Sequence, residues 1–183
     1  MLIVVLLLQA KVMVPPAARQ IEWAVQAAPE RMRADATVLG YDPDGKMTVL
    51  RKGTGSLVCL ADDPAQPDHH VSCYHKDLDP YMARGRELRA AGQKPPAIES
   101  TRLAEIKSGK LKLPTQAAAL YQLMAPAGNA DPATGVITKA QSMFVVYLPY
   151  ATPETTGLSL APKPGQPWLM DPGKPWAHVM ITP

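Results

Sequence analysis

Proline occupies 20 of the 183 positions of this chain, about twice its ordinary usage of ~5 %, and its spacing limits what can form. Each proline fixes its own φ, removes a backbone donor and disfavours a helical conformation in the residue before it. Long regular elements are therefore expected to be few. A hydrophobic content of 46 % is enough to give those elements a common core. The length suits one domain at the usual ~100–200 residues.

The formal charge of +3 arises from 19 Lys and Arg against 16 Asp and Glu. That excess is too thin for recognition through phosphate neutralisation, so nucleic acid is not expected as a partner. Residues 2–8 read Leu-Ile-Val-Val-Leu-Leu-Leu, far short of the ~20 apolar residues a membrane span requires. No transmembrane span is expected in the mature chain. A run of this length matches the apolar region of a secretory signal peptide, with Leu8-Gln9-Ala10 as the cleavage site, although no Lys or Arg precedes it. A buried N-terminal strand has the same composition. The expected organisation is a signal-peptide-like stretch over residues 1–15 and a single α+β domain over residues 16–183, which implies a periplasmic or secreted location.

Cys59 and Cys73 are the two cysteines, and each sits in a short β-forming run, Leu57-Val-Cys-Leu60 and Val71-Ser-Cys-Tyr74. In an exported chain this spacing favours one disulfide enclosing the proline-rich stretch 61–68. In a cytosolic chain the same residues would be two separate buried thiols. No Cys-x-x-Cys is present, so thioredoxin-type redox chemistry has no support.

Ile21, Val25 and Ala28 recur at helical spacing with Trp23 and Ala24 beside them, which predicts an amphipathic helix continuing through Pro29 to Met32. From Thr37 the pattern changes to β-forming stretches at 37–41, 47–51 and 57–60, separated by turn residues. A small antiparallel meander is expected, with Gly53 and Gly55 supplying positive φ at its second turn. A helix is predicted from Asp79 to about Ala91 with Gly92 as its stop, then a linker over 94–97, then a shorter helix over 101–107 capped by Ser100. A third helical segment is expected over 116–123 and a loop over 126–135. Met143-Phe-Val-Val-Tyr-Leu148 reads as a fully buried central strand. A Pro/Gly-rich C-terminal arm over 149–175 is expected as irregular chain, with a last strand at 177–181. The fold class is therefore α+β: a small antiparallel sheet with helices packed on one side.

His69, His70, Cys73 and His75 form the densest cluster of potential ligands. Imidazole and thiolate suit zinc or copper, but a Cys73 held in a disulfide leaves only the three histidines and can neither ligate nor attack. The bland alternative is a solvated loop. Asp42-Pro-Asp-Gly45 opens like a calcium loop, yet Arg51 stands where the bidentate Glu is needed, so it reads as a turn. Lys52-Gly-Thr-Gly55 lacks the Lys-Ser/Thr of a phosphate loop. No Gly-x-Ser-x-Gly elbow is present, and no catalytic residue is assigned. Trp168, Asp171 and Trp176 could line a small ligand site on the arm, or pack as a satellite core.

Leu50-Arg-Lys-Gly-Thr54, Cys59-Leu-Ala-Asp-Asp-Pro64, Cys73 and the closing Pro175-Trp-Ala-His-Val-Met-Ile181 together resemble a family of uncharacterised exported bacterial proteins. The resemblance implies export and a paired-cysteine loop; it carries no established activity and transfers no functional residue. The reading that follows is an exported, non-catalytic binding or scaffolding domain without a cofactor, its partner an unknown small molecule or protein. Binding is expected in the loop from Asp62 to His70 or on Trp168, Asp171 and Trp176, since anchored loops commonly carry recognition. The alternative is a metal-dependent protein, such as a hydrolase, holding zinc or copper through His69, His70 and His75.

Overall fold

A computed structural model describes residues 13–183; the apolar run at 2–8 and the cleavage site at 8–10 lie outside them. The strands are β1 (Thr37–Tyr41), β2 (Met47–Arg51), β3 (Leu57–Leu60), β4 (His69–His75), β5 (Ala118–Ala125), β6 (Gln141–Tyr147), β7 (Trp168–Met170) and β8 (His178–Ile181). They form one mixed sheet in the order β2-β1-β3-β4-β5-β6-β8-β7. The helices are α1 (Ala17–Ala24), α2 (Asp79–Ala90), α3 (Pro95–Lys107) and the short α4 (Pro153–Thr156). The class is α+β, as expected, but the sheet is larger than a meander and is not wholly antiparallel.

The departure begins at residues 52–56. β1 and β2 form the expected hairpin, but β3 then lies on the other side of β1 and runs parallel to it. Gly53 and Gly55 make this crossing possible, and not through positive φ, which neither adopts. A Cβ on Gly53 would collide with the backbone of Asp35, Ala36 and Thr37. The chain therefore passes hard against the start of β1, where the Gly55 N–H donates to the Asp35 carbonyl at 2.8 Å. Only a residue without a side chain allows two backbones to approach this closely. β2 is left as one edge of the sheet, with Val49 half exposed, and the three-residue β7 is the other edge.

Helices cover both faces, correcting the one-sided packing expected. Side chains alternate along a strand, and here both alternating sets are apolar. Val38, Leu57, Cys59 and Cys73 pack under Ala24 and Ala28, at α1 and the turn that follows it. Val58, Tyr74, Leu120 and Val145 pack on the opposite side with Leu78 and Met82 of the α2 region. α2 and α3 are joined by Arg84, whose Nε and Nη2 donate to the two oxygens of Glu105 at 2.8 and 2.7 Å.

Four further expectations change. Residues 116–123 are not helical; β5 occupies 118–125, because pairing with β4 and β6 on both flanks overrides the helix propensity of its alanines. Lys94 to Ala97 is not a linker: Pro95 and Pro96 open α3, where a missing N–H costs nothing. β6 is flanked by β5 and β8, yet only Val145 is fully buried, so it is interior in the sheet without being buried on both faces. The arm over 149–175 contains α4 and β7, the latter folding back to pair with β8.

Gln20 fastens α1 to the sheet. Its amide N donates to the carbonyls of Pro15 and Tyr41 at 2.7 and 2.8 Å, and its Oε1 accepts the Tyr41 N–H at 2.8 Å. The side chain thus acts as a short strand partner at the end of β1.

Candidate functional site

Cys59 and Cys73 are bonded to each other, directly opposite on β3 and β4, and both are fully buried. The Cys73 sulfur lies 3.2 Å from the Ala24 carbonyl, so the staple sits immediately beneath α1. It closes the segment that carries Asp62 and His69. Inside that segment Asp62 makes a second closure: its Oδ1 accepts the His70 N–H at 2.7 Å, and its Oδ2 lies 3.2 Å from Nδ1 of His69.

Among the described residues, two polar side chains are buried as whole residues, Gln20 and His69. Gln20 is saturated by the three bonds above. His69, 4 % exposed, is not: Nδ1 faces Asp62, while Nε2 has no hydrogen-bond partner. Burying an imidazole nitrogen unpaired is costly; Oε1 of Gln93 and Nε of Arg102 are the other buried side-chain atoms without a partner among the described residues. The ring is held edge-on against Trp23 of α1 at 5.0 Å between centroids. Trp23 is itself fixed, its Nε1 donating to the Gly135 carbonyl at 3.0 Å.

A cavity of about 540 Å³ opens against these groups. One wall is residues 13–16 with Trp23, a second is Asp62, Pro67 and His69, and a third is Gly128, Ala130 and Pro132. The volume falls within the range of small-molecule sites, which combine an apolar lining with a few convergent polar groups. The loops forming it are tied down. Asp68 accepts the Ala127 N–H at 3.0 Å, and Asp131 turns its own loop by accepting the Thr134 hydroxyl at 2.7 Å and the Ala133 N–H at 2.8 Å. Those bonds, the hydroxyl foremost, hold the Asp131 carboxyl below its ordinary pKa. Arg19 is committed as well, to Glu22 at 2.7 Å and to the Ala133 carbonyl at 2.8 Å. A smaller cavity of about 350 Å³ adjoins the same histidine, lined by Asp68, His70, Met124, Pro126 and Gln141 among others.

The side chains lining the larger cavity are apolar apart from Asp62 and His69; Nε2 of His69 is closed off, and the Asp62 carboxylate is partly exposed.

The structure does not bring His69, His70 and His75 together. All three lie on β4, extended rather than looped; His70 points to the face opposite His69, and His75 is six residues further on, about 20 Å away at ~3.3 Å per residue. His75 is occupied locally, its Nδ1 accepting the Asp77 N–H at 3.3 Å. No group of three metal-ligating side chains converges among the described residues. Trp168, Asp171 and Trp176 are likewise dispersed in role. Trp176 is 5 % exposed and stacks on Tyr81 at 6.1 Å, within a cluster that includes Leu111, so it belongs to a satellite core. Asp171 pairs with Lys174 at 2.7 Å, and Trp168 lies half-buried in β7.

Comparison with protein-family models, curated proteins and solved structures gives no match.

The sequence points to the loop from Asp62 to His70, and the cavity is built on it. Trp23 reads from the sequence as core only, and the contributions of residues 13–16 and 128–132 have no local signal. They reach the site through the pairing of β4 with β5 and the docking of α1.

Proposed function

We propose that this chain is an exported bacterial domain that binds a small molecule without transforming it, in the chamber formed by α1, the disulfide-closed loop and the loop after β5. One observation carries the reading: among the described residues, His69 is the polar residue buried as a whole that keeps an unpartnered side-chain atom, and it forms part of the wall of an apolar cavity. The supporting features are mechanical. The loop bearing Asp62 and His69 is closed at its base by a covalent bond and near its ends by Asp62. A site held this way needs little ordering on binding, which favours affinity. The disulfide suits an oxidising compartment, and no helix among the described residues is long and apolar enough to cross a membrane.

A fragment screen on the oxidised protein, followed in amide and indole N–H spectra, tests the reading. Hits are expected to move the Trp23 indole together with Gly128 and Ala130. Hits that perturb only the surroundings of Trp168 would move the site to the C-terminal arm, and a screen that shifts nothing around Trp23 would remove the proposal. Export is tested by fractionating a bacterial host that expresses the full chain. Periplasmic or extracellular protein with no alkylatable thiol is expected, and cytoplasmic protein with two free thiols would contradict it.

A further inference from the structure

We infer that the ligand of this chamber is a small organic cation, an apolar body carrying one ammonium group that pairs with the Asp62 carboxylate. The inference rests on the binding reading above and adds the ligand's charge.

Charge is scarce in the wall. Asp62 is its one acidic side chain, and no Lys or Arg lines it. The guanidinium of Arg19, 5.9 Å from the Trp23 ring, is balanced by Glu22 at 2.7 Å. His69 adds no positive charge. Its Nδ1 faces Oδ2 of Asp62 at 3.2 Å, where a ring proton is attracted and a lone pair repelled. A second proton, on Nε2, would be buried without an acceptor. One negative charge is therefore left uncompensated in the wall.

Unlike Nε2 of His69, the Asp62 carboxylate is within reach of a ligand: its side chain is 23 % exposed, and the residue lines the cavity. Oδ1 accepts the His70 N–H at 2.7 Å and Oδ2 faces the His69 ring. Each carboxylate oxygen carries two lone pairs, so one on each remains for a further donor. The same two contacts fix the group before a ligand arrives, which lowers the ordering cost of binding. Around it stand Met13, Val14, Pro15, Pro16, Pro67 and Pro132, and beside so apolar a surface an ion pair is stronger than in open water.

Other ligand classes fit less well. An anion meets the charge of Asp62 with no cation in the wall to offset it. A neutral body fills the apolar space but leaves the one accessible polar side chain without an opposite charge. A metal ion would find a single carboxylate where calcium takes about six to eight oxygens, and no group of three metal-ligating side chains converges among the described residues.

Phenethylamine, phenethyl alcohol and hydrocinnamate test the inference on the full oxidised chain at neutral pH. The three share a phenyl ring and a two-carbon spacer and end in an ammonium, a hydroxyl and a carboxylate. Titrations followed at the Trp23 indole N–H are expected to show the amine binding about tenfold more tightly than the alcohol, the scale of a hydrogen bond to a charged group, with hydrocinnamate weakest. Asp62→Asn removes the charge and keeps an oxygen for the His70 N–H; it should bring the amine down to the alcohol and leave the alcohol unchanged. Asp63→Asn, adjacent in the chain but outside the wall, should leave the preference as it is. The order in the unmodified protein decides even where Asp62→Asn fails to fold: alcohol or hydrocinnamate binding as tightly as the amine overturns the inference and leaves the chamber as a binding site. So does an advantage of the amine that survives Asp62→Asn or vanishes in Asp63→Asn. A screen in which other fragments shift Trp23 and none of these three does has the same consequence. If no compound of any kind shifts Trp23, the binding reading falls with it.

Discussion

Replacing Cys59 and Cys73 together by alanine has two effects that can be separated. The first is on the unfolded chain. The cysteines are 14 positions apart, so the bond closes a ring of 15 residues counting both ends, and removing it returns loop-closure entropy worth about 3 kcal/mol. The second is on the folded chain. Both sulfurs are fully buried, and deleting each leaves a hole comparable to a lost methyl group, about 1 kcal/mol apiece. The double variant should therefore lose about 5 kcal/mol, whereas the unmodified protein refolded with its thiols reduced keeps the sulfurs and should lose only about 3 kcal/mol. Urea unfolding followed by circular dichroism measures both. The slope against urea should rise in both cases, because an unlinked unfolded chain exposes more surface. A loss below about 1 kcal/mol on reduction, with an unchanged slope, would refute the argument that the bond acts chiefly through the unfolded state. It would mean that the pairing of β3 with β4 holds the loop closed by itself.

Gly53→Ala tests the crossing at residues 52–56. The added Cβ meets the backbone of Asp35, Ala36 and Thr37, which cannot swing aside as a side chain can, so a loss of at least about 2 kcal/mol in thermal or urea unfolding is expected. A neutral result would show that β1 does not confine this segment. A second expectation concerns alkaline pH. Burial, above all other causes, pushes Tyr41 and Tyr147 up to about 12 and Tyr74 and Tyr81 further still. These groups are held neutral in the fold and ionise near 10 when unfolded, so the stability they confer is fully present below about pH 10 and is lost as pH rises through the folded values. Tyrosinate absorbance of the native protein at pH 11 should therefore show at least four of the six tyrosines still protonated. All six ionising together near pH 10 without unfolding would contradict the burial.

The β-forming runs at 37–41, 47–51 and 57–60 were legible because they are short, apolar and bounded by turn residues, and their limits match β1, β2 and β3. Their order was not. Whether residues 52–56 turn back or cross depends on how closely Gly53 approaches residues 35–37, and a sequence gives no distance between segments that far apart. β5 was hidden for a related reason. Gln116-Ala-Ala-Ala-Leu120 has the composition of a helix, and only the presence of β4 and β6 on either side makes extension the better state. Residues flanking a proline pair read as a linker, yet the same pair starts α3. At the candidate site, the loop bearing Asp62 and His69 could be recognised from cysteine spacing. The isolation of Nε2 could not, because it depends on Trp23 and the 128–132 loop arriving from distant parts of the chain.

The two borders of the sheet differ in what they offer a second molecule. The three residues of β7 are too few to extend a neighbour's sheet, but the five of β2 present an open row of peptide groups with Val49 half uncovered. Lys46 and Lys52 flank that row immediately at either end. A copy of the chain docking there, in either direction, would bring ammonium against ammonium. Like charges at an open border are a common safeguard against stacking into fibrils, and neutralising both lysines would remove that repulsion.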